Sequence, residues 1–250
     1  MNRFTMALFV LSGCGGSGTL TLTTWGEAYI EEALPASEFE DGYTVHFTRF
    51  NVTIADFALA TRTGETGPRL RAPFTVDVAT KGPHTVEVFE EVEARKWDAV
   101  SWAIAPATAG ANALEVAGTL SKDGVARTFA WNFALDTAYT DCSNDDLGEG
   151  VTLAAGAEET VELTIHGDHL FYDDLQSPDA KLRGQAIFEA GESDGDISLA
   201  DLSAVPLTSL PSTQYGTGGA SVDDLGQFVS ALARTVGHFR GEGECVTSAR

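Results

Sequence analysis

At 250 residues the chain is long enough to bury a self-sufficient core, either as one large β domain with an appendage or as two small domains. Hydrophobic residues make up 43% of it, a globular share, but 37 Asp and Glu stand against 15 Lys and Arg, a formal net charge of -22. That field repels phosphate backbones and anionic headgroups, which argues against nucleic acid as a partner, and it concentrates cations at the surface or simply keeps the protein soluble.

The first residues, MNRFTMALFVLSGC, carry one positive charge at Arg3, an apolar run from Phe4 to Leu11 too short to span a bilayer, and then Leu11-Ser12-Gly13-Cys14. This stretch resembles the bacterial lipoprotein signal, in which a Leu precedes small residues and a Cys that becomes lipidated and N-terminal. The resemblance implies that residues 1–14 are signal peptide and lipobox, with cleavage before Cys14 and a diacylglyceryl thioether on Cys14 as membrane anchor. Gly15, in place of Asp, implies sorting to the outer membrane, so the protein is expected there, facing the periplasm or the surface. An ordinary signal peptide or a buried apolar N-terminus is the other reading. Residues 15–18, Gly-Gly-Ser-Gly, read as a flexible tether.

Export changes what the three cysteines mean. With Cys14 taken by lipid, Cys142 and Cys245 remain as an even pair in an oxidising compartment and are expected to form a disulfide. The alternative is two independent thiols, one of them a metal ligand.

From Thr19 the hydrophobic pattern has period two. Leu20 and Leu22 alternate with Thr19, Thr21 and Thr23, and Tyr43, Val45 and Phe47 alternate with polar neighbours. At Arg49 the phase flips, since Phe50, Val52 and Ile54 are apolar at even positions, and a bulge or break is expected there. Further strands are expected over residues 74–78, 85–89, 99–104, 114–120, 126–135 and 160–165. Lys122-Asp123-Gly124 is the strongest hairpin signal, because Asp-Gly supplies the positive φ angles of a type I′ turn. Strands at this spacing without helices between them predict an antiparallel β-sandwich over residues 19–173.

Beyond residue 173 the pattern becomes helical. Residues 179–190 place Leu182, Ala186 and Ile187 on one side. Residues 221–236 form an i, i+3, i+7 stripe with Ser221 as N-cap candidate and Gly237 as stop. Residues 174–250 are expected to be a small helical appendage packed on the sandwich.

Two stretches carry metal-ligand chemistry. Ala190 to Asp201, AGESDGDISLAD, resembles the twelve-residue calcium loop of the EF-hand and dockerin families. Glu192 and Asp194 fall on its third and fifth positions, Gly195 on the sixth where the loop turns sharply, Ile197 on the eighth and Asp201 on the twelfth. The resemblance implies a calcium site with Glu192, Asp194, Asp196 and Asp201 as ligands. Ala190 at the first position and the short Asp201 at the last imply weak binding, or a loop that keeps the turn but not the ion. The second stretch is His166-Gly167-Asp168-His169 at the end of the sandwich. A turn at Gly167 brings both imidazoles together beside Asp168, and imidazole nitrogens suit zinc or copper, not calcium. Two imidazoles bind weakly, so Asp168 or one of His46, His84 and His238 is expected to complete the set. Surface histidines at a strand end are the plain alternative.

The sequence has no G-x-S-x-G on a strand-to-helix turn, no P-loop, no H-E-x-x-H and no dinucleotide fingerprint. The sequence therefore predicts a lipid-anchored, exported, non-catalytic binding protein whose ligand is a metal ion. The alternative is a structural or adhesive cell-envelope sandwich that recognises a glycan or a protein, which an exposed aromatic row would favour.

Overall fold

The structure, a computed structural model, describes residues 15–250. Cys14, and with it the expected signal and anchor, lies outside the described residues. The chain is mainly β and sandwich-like, with a few short helices in its last third. In order it forms β1 (Ser17–Trp25), the short helix α1 (Glu27–Glu31), the long β2 (Thr44–Ala60), β3 (Thr66–Arg69), β4 (Phe74–Asp77) and β5 (His84–Glu93). There follow β6 (Lys96–Trp97), β7 (Ala99–Ile104), β8 (Leu114–Lys122), β9 (Val125–Phe133), β10 (Thr137–Asn144), β11 (Gly148–Glu149), β12 (Val151–Thr152) and β13 (Glu158–Ile165). The last third holds α2 (Gln185–Ala190), β14 (Asp196–Ile197), α3 (Leu199–Ser203), α4 (Leu225–Leu232), β15 (Gly237–Phe239) and β16 (Glu244–Ala249).

One sheet has the order β15-β13-β1-β5. The larger runs β11-β10-β7-β2-β8-β9-β14, with β16 against β10 and β3 and β4 against β2. Most pairs are antiparallel, but β1 and β13 run parallel with Trp25 beside Thr164, so both strands end at the same rim of the small sheet. That rim carries the candidate site.

Alternation sets the strands as the sequence predicts. Leu20 and Leu22 are fully buried, as are Phe50, Val52 and Ile54 on β2, and the register of β2 against β8 shifts between Phe47 and Arg49, where the phase flips. Lys122 pairs with Val125 across a turn whose Asp123 and Gly124 have φ of 51 and 80. Phe47, Phe129 and Trp131 on the large sheet cluster ring to ring with Phe171, the Phe129 and Trp131 centroids 4.6 Å apart. Burying such rings supplies much of the core's hydrophobic stabilisation, about 25 cal/mol per Å² removed from water.

The tail departs from its expected form. Instead of a helix over residues 179–190, only Gln185–Ala190 is helical. The preceding backbone is held by other partners: Lys181 N–H donates to Asp173 Oδ1, Arg183 N–H to the Phe171 carbonyl, and Gly184 and Gln185 N–H to the Asp41 carboxylate. The second helix is likewise shorter, Leu225–Leu232, with Asp224 rather than Ser221 as its N-cap, accepting from Gln227 N–H at 2.8 Å. Asp223 is drawn away by Leu207 N–H donating to its carbonyl, and Gly237 begins a strand rather than ending a helix. The tail's helices pack on the sandwich, and it also contributes β15 to the small sheet and β16 to the large one.

Cys142 on β10 and Cys245 on β16 are joined by a disulfide, 103 residues apart in sequence. In the chain-entropy account a loop of that length removes roughly 4 to 5 kcal/mol of unfolded-state freedom. The bond therefore ties the end of the chain to the large sheet.

Candidate metal centre

His166, His169 and His238 each offer a ring nitrogen, and these nitrogens lie within 4.8 Å of one another. Strand register accounts for two of the three. Thr164 on β13 pairs with His238 on β15, and His166 N–H continues the ladder to the Val236 carbonyl at 2.8 Å. His166 and His238 are thus diagonal neighbours on one face, with ring centroids 4.2 Å apart. Gly237 allows this approach, since a Cβ there would lie 2.5 Å from the Trp102 ring and 2.7 Å from that of Tyr139. The chain leaves β13 through Gly167, whose close packing against Ile30 and Phe47 also leaves no room for a side chain. A 3₁₀ turn over Asp168–Phe171 then carries His169 back, its centroid 5.5 Å from His166 and 4.9 Å from His238.

The surrounding hydrogen bonds fix one tautomer. Thr235 Oγ1 donates to the Leu232 carbonyl at the end of α4, so it accepts from His169 Nδ1–H at 2.9 Å. The proton therefore sits on Nδ1 and the lone pair on Nε2, the arrangement in which a second partner orients an imidazole for a metal. Nε2 of His166 and Nδ1 of His238 are buried without any hydrogen-bond partner. An orphaned buried polar atom costs about 1 to 3 kcal/mol, which a bound ion would offset. Burial, reinforced by the neighbouring His166, pushes both His169 and His238 down to about 3, so both are neutral, the form that ligates a metal.

Asp168 does not join this set. Its Oδ2 accepts from the Tyr172 hydroxyl at 2.9 Å, while Oδ1 is buried and unpartnered. The reason is the 3₁₀ turn, which points residues 168 and 169 in different directions. The third imidazole of the cluster is that of His238, one of the candidates expected to complete the set, whereas His46 and His84 stay outside it.

A second group shares His166. Glu27, His166 and Glu242 also offer ligand atoms within 4.8 Å of one another, and Glu27 Oε2 lies 4.0 Å from His166 Nε2. Because β1 and β13 are parallel and in register at Trp25 and Thr164, Glu27 and His166 stand two residues beyond the same rung. Glu27 has φ of 56, a left-handed conformation costing a non-glycine residue about 1 to 2 kcal/mol. Such strain persists only where the surroundings impose it, and it gathers at functional sites. Burial raises the Glu27 carboxyl above its ordinary range, opposed by His166. Glu242 arrives on the turn after β15, seated by Gly241 N–H donating to Thr164 Oγ1 at 2.8 Å. Sequence reasoning missed both carboxylates, and no local pattern marks either.

The acidic loop does not gather its carboxylates. Glu192, Asp194, Asp196 and Asp201 are absent from the groups of three or more that converge among the described residues. Each of three has another partner: Asp194 Oδ1 accepts from Asp196 N–H, Asp196 from Thr128, and Asp201 caps α3 by accepting from Ser198 N–H and Oγ. Glu192 is exposed. What remains of the motif is its turn, with φ of 89 at Gly195 and Ile197 buried against β9. Compared with known proteins, the chain matches no family model, no curated protein and no solved structure.

Proposed function

We propose that the protein is an exported, lipid-anchored binding protein for a transition-metal ion, held by His166, His169 and His238 without catalysis. The observation that carries this reading is the convergence of three imidazoles, two of them buried with a nitrogen that has no other partner. An all-nitrogen set suits zinc or copper, with the fourth position of a tetrahedral ion left to water. Calcium suits this set less, because it takes oxygen ligands, and three of the acidic loop's four carboxylates accept hydrogen bonds within the fold. Export is supported by the Cys142–Cys245 disulfide, a bond that persists in oxidising compartments, and by the lipobox resemblance at Cys14. A glycan-binding sandwich would need an exposed aromatic row, whereas Trp97, Trp102 and Trp131 are buried.

The test is metal analysis of protein purified without chelator, followed by zinc and cupric ion titration of the stripped chain. About one equivalent is expected, as one three-histidine site provides. A His169→Ala/His238→Ala variant should lose it. A wild-type chain that takes up neither ion overturns the reading.

A further inference from the structure

We infer that Glu27, His166 and Glu242 form an outer intake site, which takes a divalent transition-metal cation from solvent and passes it through His166 to the histidine triad. The inference rests on the metal-binding reading above and concerns how the ion gets in.

Two ligand atoms about 2.0 to 2.1 Å from one ion lie no more than roughly 4.2 Å apart. Glu27 Oε2 and His166 Nε2, at 4.0 Å, already meet that span. Nε2 of His166 is buried without a partner on a side chain only 7% exposed, so an atom wanting a partner faces the carboxylate. Exposure grades inward: Glu242 is exposed, Glu27 half-buried, and His166 and His238 are buried.

Sharing His166 makes the two groups successive stations rather than a pair of sites. A neutral imidazole has one ring nitrogen with a free lone pair, so His166 serves one ion at a time. The two stations also differ in chemistry. The outer one has two carboxylates, which attract a hydrated cation at long range, while the inner one offers three imidazole nitrogens, which hold zinc or copper more tightly but carry no negative charge to draw an ion from a distance. A hollow of about 450 Å³ opens beside Glu27 and is also lined by Glu159, Glu162 and Arg240. Arg240 pairs with Glu159 at 2.6 Å, which leaves Glu27 and Glu162 as uncompensated negative charge at its wall. The transfer is a ligand exchange: carboxylate and water oxygens leave the ion as the nitrogens of His169 and His238 bind, and no bond of the protein breaks.

The experiment is stopped-flow mixing of the chelator-stripped chain with Co²⁺, whose visible absorption reports its ligands. Wild type should load in a fast, concentration-dependent step followed by a slower first-order change to the final spectrum. Glu27→Gln and Glu242→Gln should each slow loading, by about tenfold or more when combined, since electrostatic capture raises association rates by about 10 to 1,000-fold. Their final spectrum and stoichiometry should equal those of wild type. His169→Ala/His238→Ala should keep the fast step, as weak and readily reversed capture that leaves no tightly bound equivalent, and lose the slow one. Loading of the glutamine variants at the wild-type rate overturns the intake site and leaves the triad reading standing. A changed final spectrum also overturns it, by making the carboxylates permanent ligands. Failure of wild type to bind Co²⁺ removes both.

Discussion

The histidine rim and the acidic loop both present metal-ligand residues at close spacing, and they differ in what those residues' atoms are doing. In the loop, Asp194, Asp196 and Asp201 accept hydrogen bonds from Asp196 N–H, Thr128 and Ser198, so the carboxylates stabilise a turn and a helix start. At the rim, Nε2 of His166 and Nδ1 of His238 have no partner, and Thr235 holds the third ring in a ligating tautomer. Ligand type at the right spacing is thus a weak guide. Unpartnered ligand atoms brought together by rigid strands are a stronger one, since burial without a partner is costly unless something else binds.

The largest effect should separate the two regions outright. Structural zinc is worth about 10 to 16 kcal/mol over four ligands, so His238→Ala should weaken zinc or cupric ion binding by roughly a hundred- to a thousandfold, read by competition with a chromophoric chelator. Glu192→Gln and Asp194→Asn should leave that affinity unchanged. Equal losses from both regions would erase the distinction.

Acid should act next, and through the rim. His169 and His238 titrate near 3 when folded against an ordinary 6.5, so the unfolded chain takes up their protons first. Their contribution to the stability of chelator-treated protein is whole above about pH 6.5 and is lost as the pH falls toward 3. Melting curves of wild type and His169→Leu/His238→Leu across that window should show a steeper fall for wild type. Parallel curves would reject the assignment.

A smaller effect tests the tautomer. Thr235→Val keeps the side chain's shape but removes the acceptor for His169 Nδ1–H, and such partners are worth about 10- to 100-fold in metal affinity. An unchanged dissociation constant would mean that Thr235 only packs.

The smallest belongs to the loop. Ser198→Ala removes the cap of α3 and should cost about 0.5 to 2 kcal/mol in denaturant unfolding, equally with calcium or with chelator. A cost that appears only in calcium would return an ion-binding role to Glu192, Asp194 and Asp201.

The sequence by itself determined the strands, because a half-buried strand writes its burial as alternation along the chain. Leu20 and Leu22, the phase flip at Arg49 and the Asp123-Gly124 turn are all local signals. It also marked His166 and His169, which are near neighbours in the chain, and the even pair Cys142 and Cys245. The third imidazole was legible only as one of several candidates, and Glu27 and Glu242 not at all. Their places depend on β1 lying parallel to β13 and β15 antiparallel to it, pairings between segments far apart in sequence. The tail was misread for the same reason, since the backbone at residues 181–185 found partners in Asp41, Phe171 and Asp173 that outweighed a helical pattern. Local periodicity records which side of an element faces inward. Which elements become neighbours, and so which ligand atoms meet, is decided by the packing of the whole chain.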